Sequence, residues 1–226
     1  MNYFRFGLSA VIVFLSTSVN ATLIFSEYVE GSSYNKALEI FNLGSAVDFG
    51  SDAYAIEIYA NGSGTPSYSL NLTGMLAENS AFVIGNSRAG ESILSIANQL
   101  SGSLNFNGDD AIVLTHNGSI VDRIGQIGFD PGAEWGTDVT STQDNTMRRR
   151  QDIVLGDANA MNNFDPAMQW IGYAQNNFAG LGQHSIFTAP TNDDLQAVSV
   201  PAPGSLILML VGMLGLLVAR RPIPAA

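Results

Sequence analysis

Three consecutive arginines, Arg148-Arg149-Arg150, form the basic cluster of the chain's interior. On a strand successive side chains alternate, so Arg148 and Arg150 share a face and Arg149 takes the other. Two guanidinium groups side by side can clamp a phosphate or a sugar carboxylate through paired hydrogen bonds. They can equally pair with Asp144 and Asp152, and that structural pairing is the favoured reading. Asn107-Gly108-Asp109-Asp110 gathers amide and carboxylate oxygens at a tight turn, where a hard cation such as Ca2+ can sit. EF-hand spacing is absent, and Asx-rich turns hydrogen-bond their own backbone, so the turn reading is preferred. No other metal and no cofactor is expected. His116 lies beside a hairpin turn and His184 near the end of the body, and each reads as a surface or capping histidine. Trp135 and Trp170, with Phe164 and Tyr173, suggest either a carbohydrate-stacking platform or core plugs, and core is favoured. Lys36 and Glu39 share a strand, with Glu27 and Glu30 as neighbouring acids; a sheet-edge ion pair is expected there, worth little if exposed. No G-x-S-x-G elbow, P-loop or G-x-G-x-x-G is present, and no paired carboxylates and histidines suit a phosphodiesterase. An enzyme is not expected.

The elements that position these residues read as strands. Thr22–Val29, Ala37–Leu43, Ala53–Ala60, Tyr68–Leu72, Ala81–Ile84, Ala111–Thr115 and Ser119–Ile124 are short runs rich in Ile, Val, Phe and Tyr. Alternation puts Leu38, Ile40 and Asn42 on one face, with Glu39, Phe41 and Leu43 on the other. Asn117-Gly118 between two apolar runs is the strongest hairpin signal. One helix is expected over Gly90–Leu100, where Ile93, Ile96, Ala97 and Leu100 fall at helical spacing. About seven strands at regular intervals argue an all-β fold, a single antiparallel sandwich or barrel.

Composition narrows the function classes. The 226 residues carry a formal charge of −11, no cysteine, and 46% apolar against 13% charged residues. Disulfides and thiolate zinc sites are therefore excluded. Of nine Lys and Arg, three (Arg5, Arg220, Arg221) lie in the terminal segments. The body is left with six basic residues against twenty acidic ones, a net of −14. Such a surface does not suit a nucleic-acid binder working through a broad basic face.

Both ends read as addresses. Arg5, an apolar run from Phe6 to Leu15, and Val19-Asn20-Ala21 make a secretory signal peptide, cleaved by signal peptidase between Ala21 and Thr22. At the other end Val200-Pro201-Ala202-Pro203-Gly204 is a stiff, non-helical lead-in. Ser205–Ala219 follows without a charge and spans about 22 Å as a helix, short of the ~30 Å hydrocarbon core, and Arg220-Arg221 closes it. A cationic pair after the span holds that end in the cytoplasm and leaves the body outside. This tail resembles the PEP-CTERM sorting signal of Gram-negative bacteria, through Val200, Pro201, Pro203, the Leu/Gly-rich span, and Arg220 and Arg221. Ala202 departs from the usual Glu. The resemblance implies processing by the transpeptidase-like enzyme exosortase, in bacteria that make extracellular polysaccharide. It also turns the Asn-x-Ser/Thr sites at Asn61, Asn71 and Asn117 into ordinary turn or strand asparagines.

The body resembles the bacterial lamin tail domain. The carriers are Phe25-Ser26-Glu27-Tyr28-Val29-Glu30, Lys36-Ala37-Leu38-Glu39-Ile40-Phe41-Asn42, Asn107-Gly108-Asp109-Asp110, Val121-Asp122-Arg123-Ile124-Gly125, Asp144-Asn145-Thr146-Met147-Arg148-Arg149 and Phe164-Asp165-Pro166-Ala167-Met168-Gln169-Trp170. These motifs run in family order over Leu23–His184. The resemblance implies an immunoglobulin-like β-sandwich of the kind found in nuclear lamins and appended to secreted nucleases, phosphatases and surface proteins. The expected organisation is a signal peptide 1–21, a sandwich 22–189, a linker 190–199, a sorting signal with membrane helix 200–221, and a cytoplasmic tail 222–226. The expected role is non-enzymatic: adhesion or scaffolding at the cell surface or in the extracellular matrix, with a polysaccharide or a surface protein as partner. The alternative is an accessory module for extracellular nucleic acid, working with a separately encoded nuclease.

Overall fold

The structure, a computed structural model, describes residues 22–186. The signal segment with Ala21, the linker, and the tail with Val200, Pro201, Pro203, Arg220 and Arg221 lie outside the described residues. Among the described residues no helix is long and apolar enough to cross a membrane.

The strands in chain order are β1 (Leu23–Glu30), β2 (Lys36–Asn42), β3 (Val47–Asp48), β4 (Tyr54–Tyr59) and β5 (Tyr68–Asn71). Then come β6 (Met75–Leu76), β7 (Ala81–Asn86), the one-turn helix α1 (Glu91–Leu94), β8 (Gln99–Ser101), β9 (Ala111–His116) and β10 (Ser119–Ile124). The last are β11 (Gly136–Thr137), β12 (Thr140–Ser141), β13 (Asn145–Arg149) and β14 (Trp170–Ala174). One sheet runs β14-β13-β1-β2-β7-β8 and a second runs β10-β9-β4-β5. β3 pairs with β6 and β11 with β12 in small two-stranded ribbons. The two large sheets share one apolar core, with Phe25, Leu38 and Ile40 from the first meeting Ile56, Ile112 and Leu114 from the second. The fold is an all-β sandwich.

All seven strands expected from the sequence form, within a few residues of their expected bounds. The β9–β10 hairpin turns on Asn117 and Gly118, at φ +50° and +75°, the paired left-handed conformation that matches strand twist in a two-residue turn. Two expectations need correction. Helix Gly90–Leu100 shrinks to Glu91–Leu94, because Asn98 pairs both its backbone N–H and its side-chain oxygen with Val83. That grip stops the helix and starts β8. Nor is the sandwich wholly antiparallel: β8 runs parallel to β7. Residues 87–98 form the crossover, about the length a parallel return requires.

β2 also differs from a half-exposed strand. Its alternation holds, with Leu38 and Ile40 in the main core, yet every residue is buried. Its outer face is covered by α1 and by residues 178–184, through Ile93, Phe178 and Leu181 packed on Val29, Ala37 and Val83. Lys36 therefore is not at a sheet edge. β2 lies between β1 and β7, and Lys36 Nζ is buried on Glu30 and the Gly31 carbonyl.

Candidate functional site

Strand register draws a row across the outer face of the six-stranded sheet. Ile171 pairs with Arg148, Arg148 with Glu27, Glu27 with Glu39 and Glu39 with Val83. Two carboxyls thus stand on adjacent strands inside a buried surface, with Glu27 1% and Glu39 0% exposed. Arg148 Nε donates to Glu27 Oε2 at 3.1 Å, and its guanidinium lies 4.1 Å from the Tyr173 ring centroid. Its Nη2 donates to Asn177 Oδ1 at 2.7 Å. Glu39 accepts from the Ser26 hydroxyl at 2.6 Å and from the Gly182 backbone N–H.

The strap of residues 177–184 lies over this row because it has no side chain where contact is closest. A Cβ on Gly180 would enter the van der Waals shells of Arg148 Nε and Glu27 Oε2. Glycine is what lets the backbone approach the ion pair. Beyond it His184 packs edge-on against Phe41, ring centroids 4.9 Å apart.

Burial sets the electrostatics here. It pushes the Glu27 carboxyl up to about 7, against the pull of the Arg148 guanidinium. Glu39 is raised by the same burial, offset by its hydrogen bonds from Ser26 and Gly182. Burial pushes the His184 imidazole down to about 4, assisted by the Arg149 charge. Near neutral pH the pair of carboxyls holds about one proton and the imidazole is neutral. Beside the row opens a cavity of about 160 Å3 lined by Glu27, Arg148, Ile171, Tyr173, Gln183 and His184, among others. Glu27 Oε1 and His184 Nε2 are buried without a hydrogen-bond partner. A strongly raised acid beside a cleft marks a candidate site. This one offers a proton donor, a guanidinium and a weakly basic imidazole. Glu27 is the cleft's one carboxylate.

The arginine cluster divides in three. Arg148 faces this cleft. Arg149 takes the opposite face, as expected, buried on Asp122, the Phe25 carbonyl and the Trp170 ring. β13 ends at Arg149, so Arg150 leaves the strand and pairs with Asp152 at the surface. Arg148 and Arg150 thus go to different partners. The Asp152 pairing matches expectation, whereas Asp144 bonds Gln175.

At Asn107–Asp110 both Asp110 oxygens accept backbone N–H groups, from Asn61 at 3.1 Å and Asn107 at 3.0 Å. Burial raises its carboxyl. Among the described residues no three His, Asp or Glu side chains gather to hold a metal. Trp135, Trp170 and Phe164 are buried, and Tyr173 carries Arg148 on its ring, so no stacking platform forms. His116 stacks on Tyr54 at 4.2 Å, beside the turn. Asn61 and Asn117 hold positive-φ turn positions, and Asn71 ends β5.

Glu27, Glu39 and His184 were not legible as a site. The available signal was an acid set among apolar residues in each of two strands, Ser26-Glu27-Tyr28 and Leu38-Glu39-Ile40. What it lacked was the register that places them side by side. No family model, curated protein or solved structure matches the chain.

Proposed function

We propose that the chain is an exported, non-enzymatic surface module. In this reading it is a lamin-tail-type, immunoglobulin-like sandwich, carried out by its signal peptide, sorted through its PEP-CTERM-like tail, and used for adhesion or scaffolding. The observation that carries it is where the motif residues lie. Asp122, Arg123 and Arg149 are buried and joined to the frame, and Asp110 ties a turn to the neighbouring loop. Arg123 holds Asp157 and the carbonyls of Gly125, Asn162 and Asn163. Residues so engaged build a frame, and a frame supports binding and spacing rather than turnover.

The nucleic-acid alternative has less to draw on. Five of the body's six cations sit in ion pairs, and Arg88 lies over the Tyr34 ring at 3.6 Å. That leaves little positive surface to gather phosphates.

The test is fractionation of the epitope-tagged full chain in an exosortase-positive bacterium and in its exosortase-deletion strain. The expected result is body outside the cytoplasm in the first, and a membrane-held, tail-bearing form in the second. A tagged body that stays in the cytoplasm of both strains overturns the reading.

A further inference from the structure

We propose that the cleft between Glu27 and His184 is a subsite for a neutral, hydroxyl-rich ligand, of the chemical class of a saccharide unit. The inference stands on the cleft's own residues and holds wherever the chain resides. Glu27 and His184 line the cavity, and each has a buried polar atom with no protein partner, Oε1 and Nε2. A buried polar group left unpaired is costly, so the cleft is built to receive something that hydrogen-bonds. Hydroxyls suit it, because each both donates and accepts.

Charge excludes the ionic candidates. The charged groups facing the cleft are Glu27, Glu39 and Arg148, while Arg149 is neutralised by Asp122. With the one proton that burial leaves on the carboxyl pair, they sum to zero. An anion would leave a negative excess beside two acids, and a cation would sit against the Arg148 guanidinium. Either would strand a charge in a partly desolvated place. The rim is apolar, with Ile171 half-exposed and Tyr173 beside it on the same strand face. A polar floor beside a small apolar wall is the division a sugar ring presents, hydroxyls at its edge and C–H groups on its face.

The experiment is saturation-transfer NMR on the full chain in a zwitterionic, sugar-free detergent. The probes are methyl glucoside and methyl galactoside, with glucuronate and methylammonium as charged counterparts. Transfer to a neutral glycoside is expected, with loss of the signal in His184→Phe, which keeps the ring contact with Phe41 and removes Nε2. Ile171→Glu, on the exposed rim where folding is not at stake, should also lose it. Glu27→Gln keeps a donor and should bind equally below and above about pH 7, whereas the native chain weakens above it. Three outcomes overturn the proposal: no transfer to either glycoside, which leaves a water-filled cleft; transfer unchanged in both His184→Phe and Ile171→Glu; or preference for glucuronate or methylammonium.

Discussion

Asp122 is the joint between the two sheets, and removing its charge should cost more than any surface change. It lies on β10 of the four-stranded sheet, fully buried, and reaches the other sheet at the irregularity between Phe25 and Glu27. Its Oδ2 accepts the Phe25 N–H at 2.8 Å and the Arg149 guanidinium, and its Oδ1 accepts the Asp157 N–H at 2.8 Å. Asp122→Leu leaves Arg149 buried without a counter-charge, a loss of about 3–5 kcal/mol. It also strips the acceptor from two N–H groups, each worth about 1 kcal/mol or more. The expected total is about 5 kcal/mol, a large share of a domain's stability. With a urea slope of about 2 kcal/mol/M the midpoint falls by about 2 M. Trp170 lies 4.2 Å from the Arg149 guanidinium, so tryptophan fluorescence on the full chain reports the transition. Arg149→Met alone should be similarly damaging, since it strands the carboxylate instead. The double variant should cost well under the sum, with a coupling of about 3 kcal/mol, because two apolar groups leave no stranded charge. Single variants each costing under about 1 kcal/mol, or strictly additive costs, would refute the assignment of this pair as the inter-sheet joint.

Stability should peak at mildly acidic pH. The folded Glu27 holds its proton more tightly than the unfolded chain does, so its contribution is full below about 4.5 and lost as pH rises to about 7, about 3 kcal/mol in all. His184 acts in the other direction, its contribution full above about 6.5 and lost as pH falls to about 4. Urea midpoints across pH should lose the alkaline fall in Glu27→Gln and the acid fall in His184→Phe; unchanged profiles would contradict both assignments. Gly180→Ala should push the strap off the Arg148–Glu27 pair and destabilise by roughly 1–3 kcal/mol, with the Gly182 amide losing hydrogen-exchange protection; native protection would show that the strap tolerates a methyl. Arg150→Glu breaks only an exposed pair and should leave the urea midpoint where it was, a measurable drop being the contrary result.

What the sequence disclosed was local, and what it withheld was long-range. Asn117-Gly118 specifies its hairpin from two residues, and the apolar runs specify seven strands, because turn chemistry and period-two patterning act between neighbours. β13 escaped notice since Asn145-Thr146-Met147-Arg148-Arg149 is polar enough to pass for a loop, although Thr146, Met147 and Arg149 are buried. Its arginines are tolerated there because partners 121 and 27 residues away in sequence, Glu27 and Asp122, neutralise them. Nothing within a few residues of Arg148 announces Glu27. The same holds for the cleft: Glu39 and Gly182 meet across 143 residues, and the strap that covers them has no strand or helix period to detect.

That distribution explains how so acidic a chain makes a stable sandwich with few cations. Each buried arginine is placed where several acceptors converge: Arg149 on Asp122, Phe25 and Gln169, and Arg123 on Asp157 and three carbonyls. Five donors in a rigid fork can bind that many acceptors at once, which one ammonium cannot. The lone lysine sits where only Glu30 and one carbonyl need it. The cations are thus joints, and Arg148 is the exception. Its side chain remains about one-fifth exposed, one end on Glu27 and the other against Tyr173 at the mouth of a cleft. Joints elsewhere are closed on all sides. This one stays open beside an acid kept near neutrality, where a small difference in what occupies the cleft can be felt by the frame.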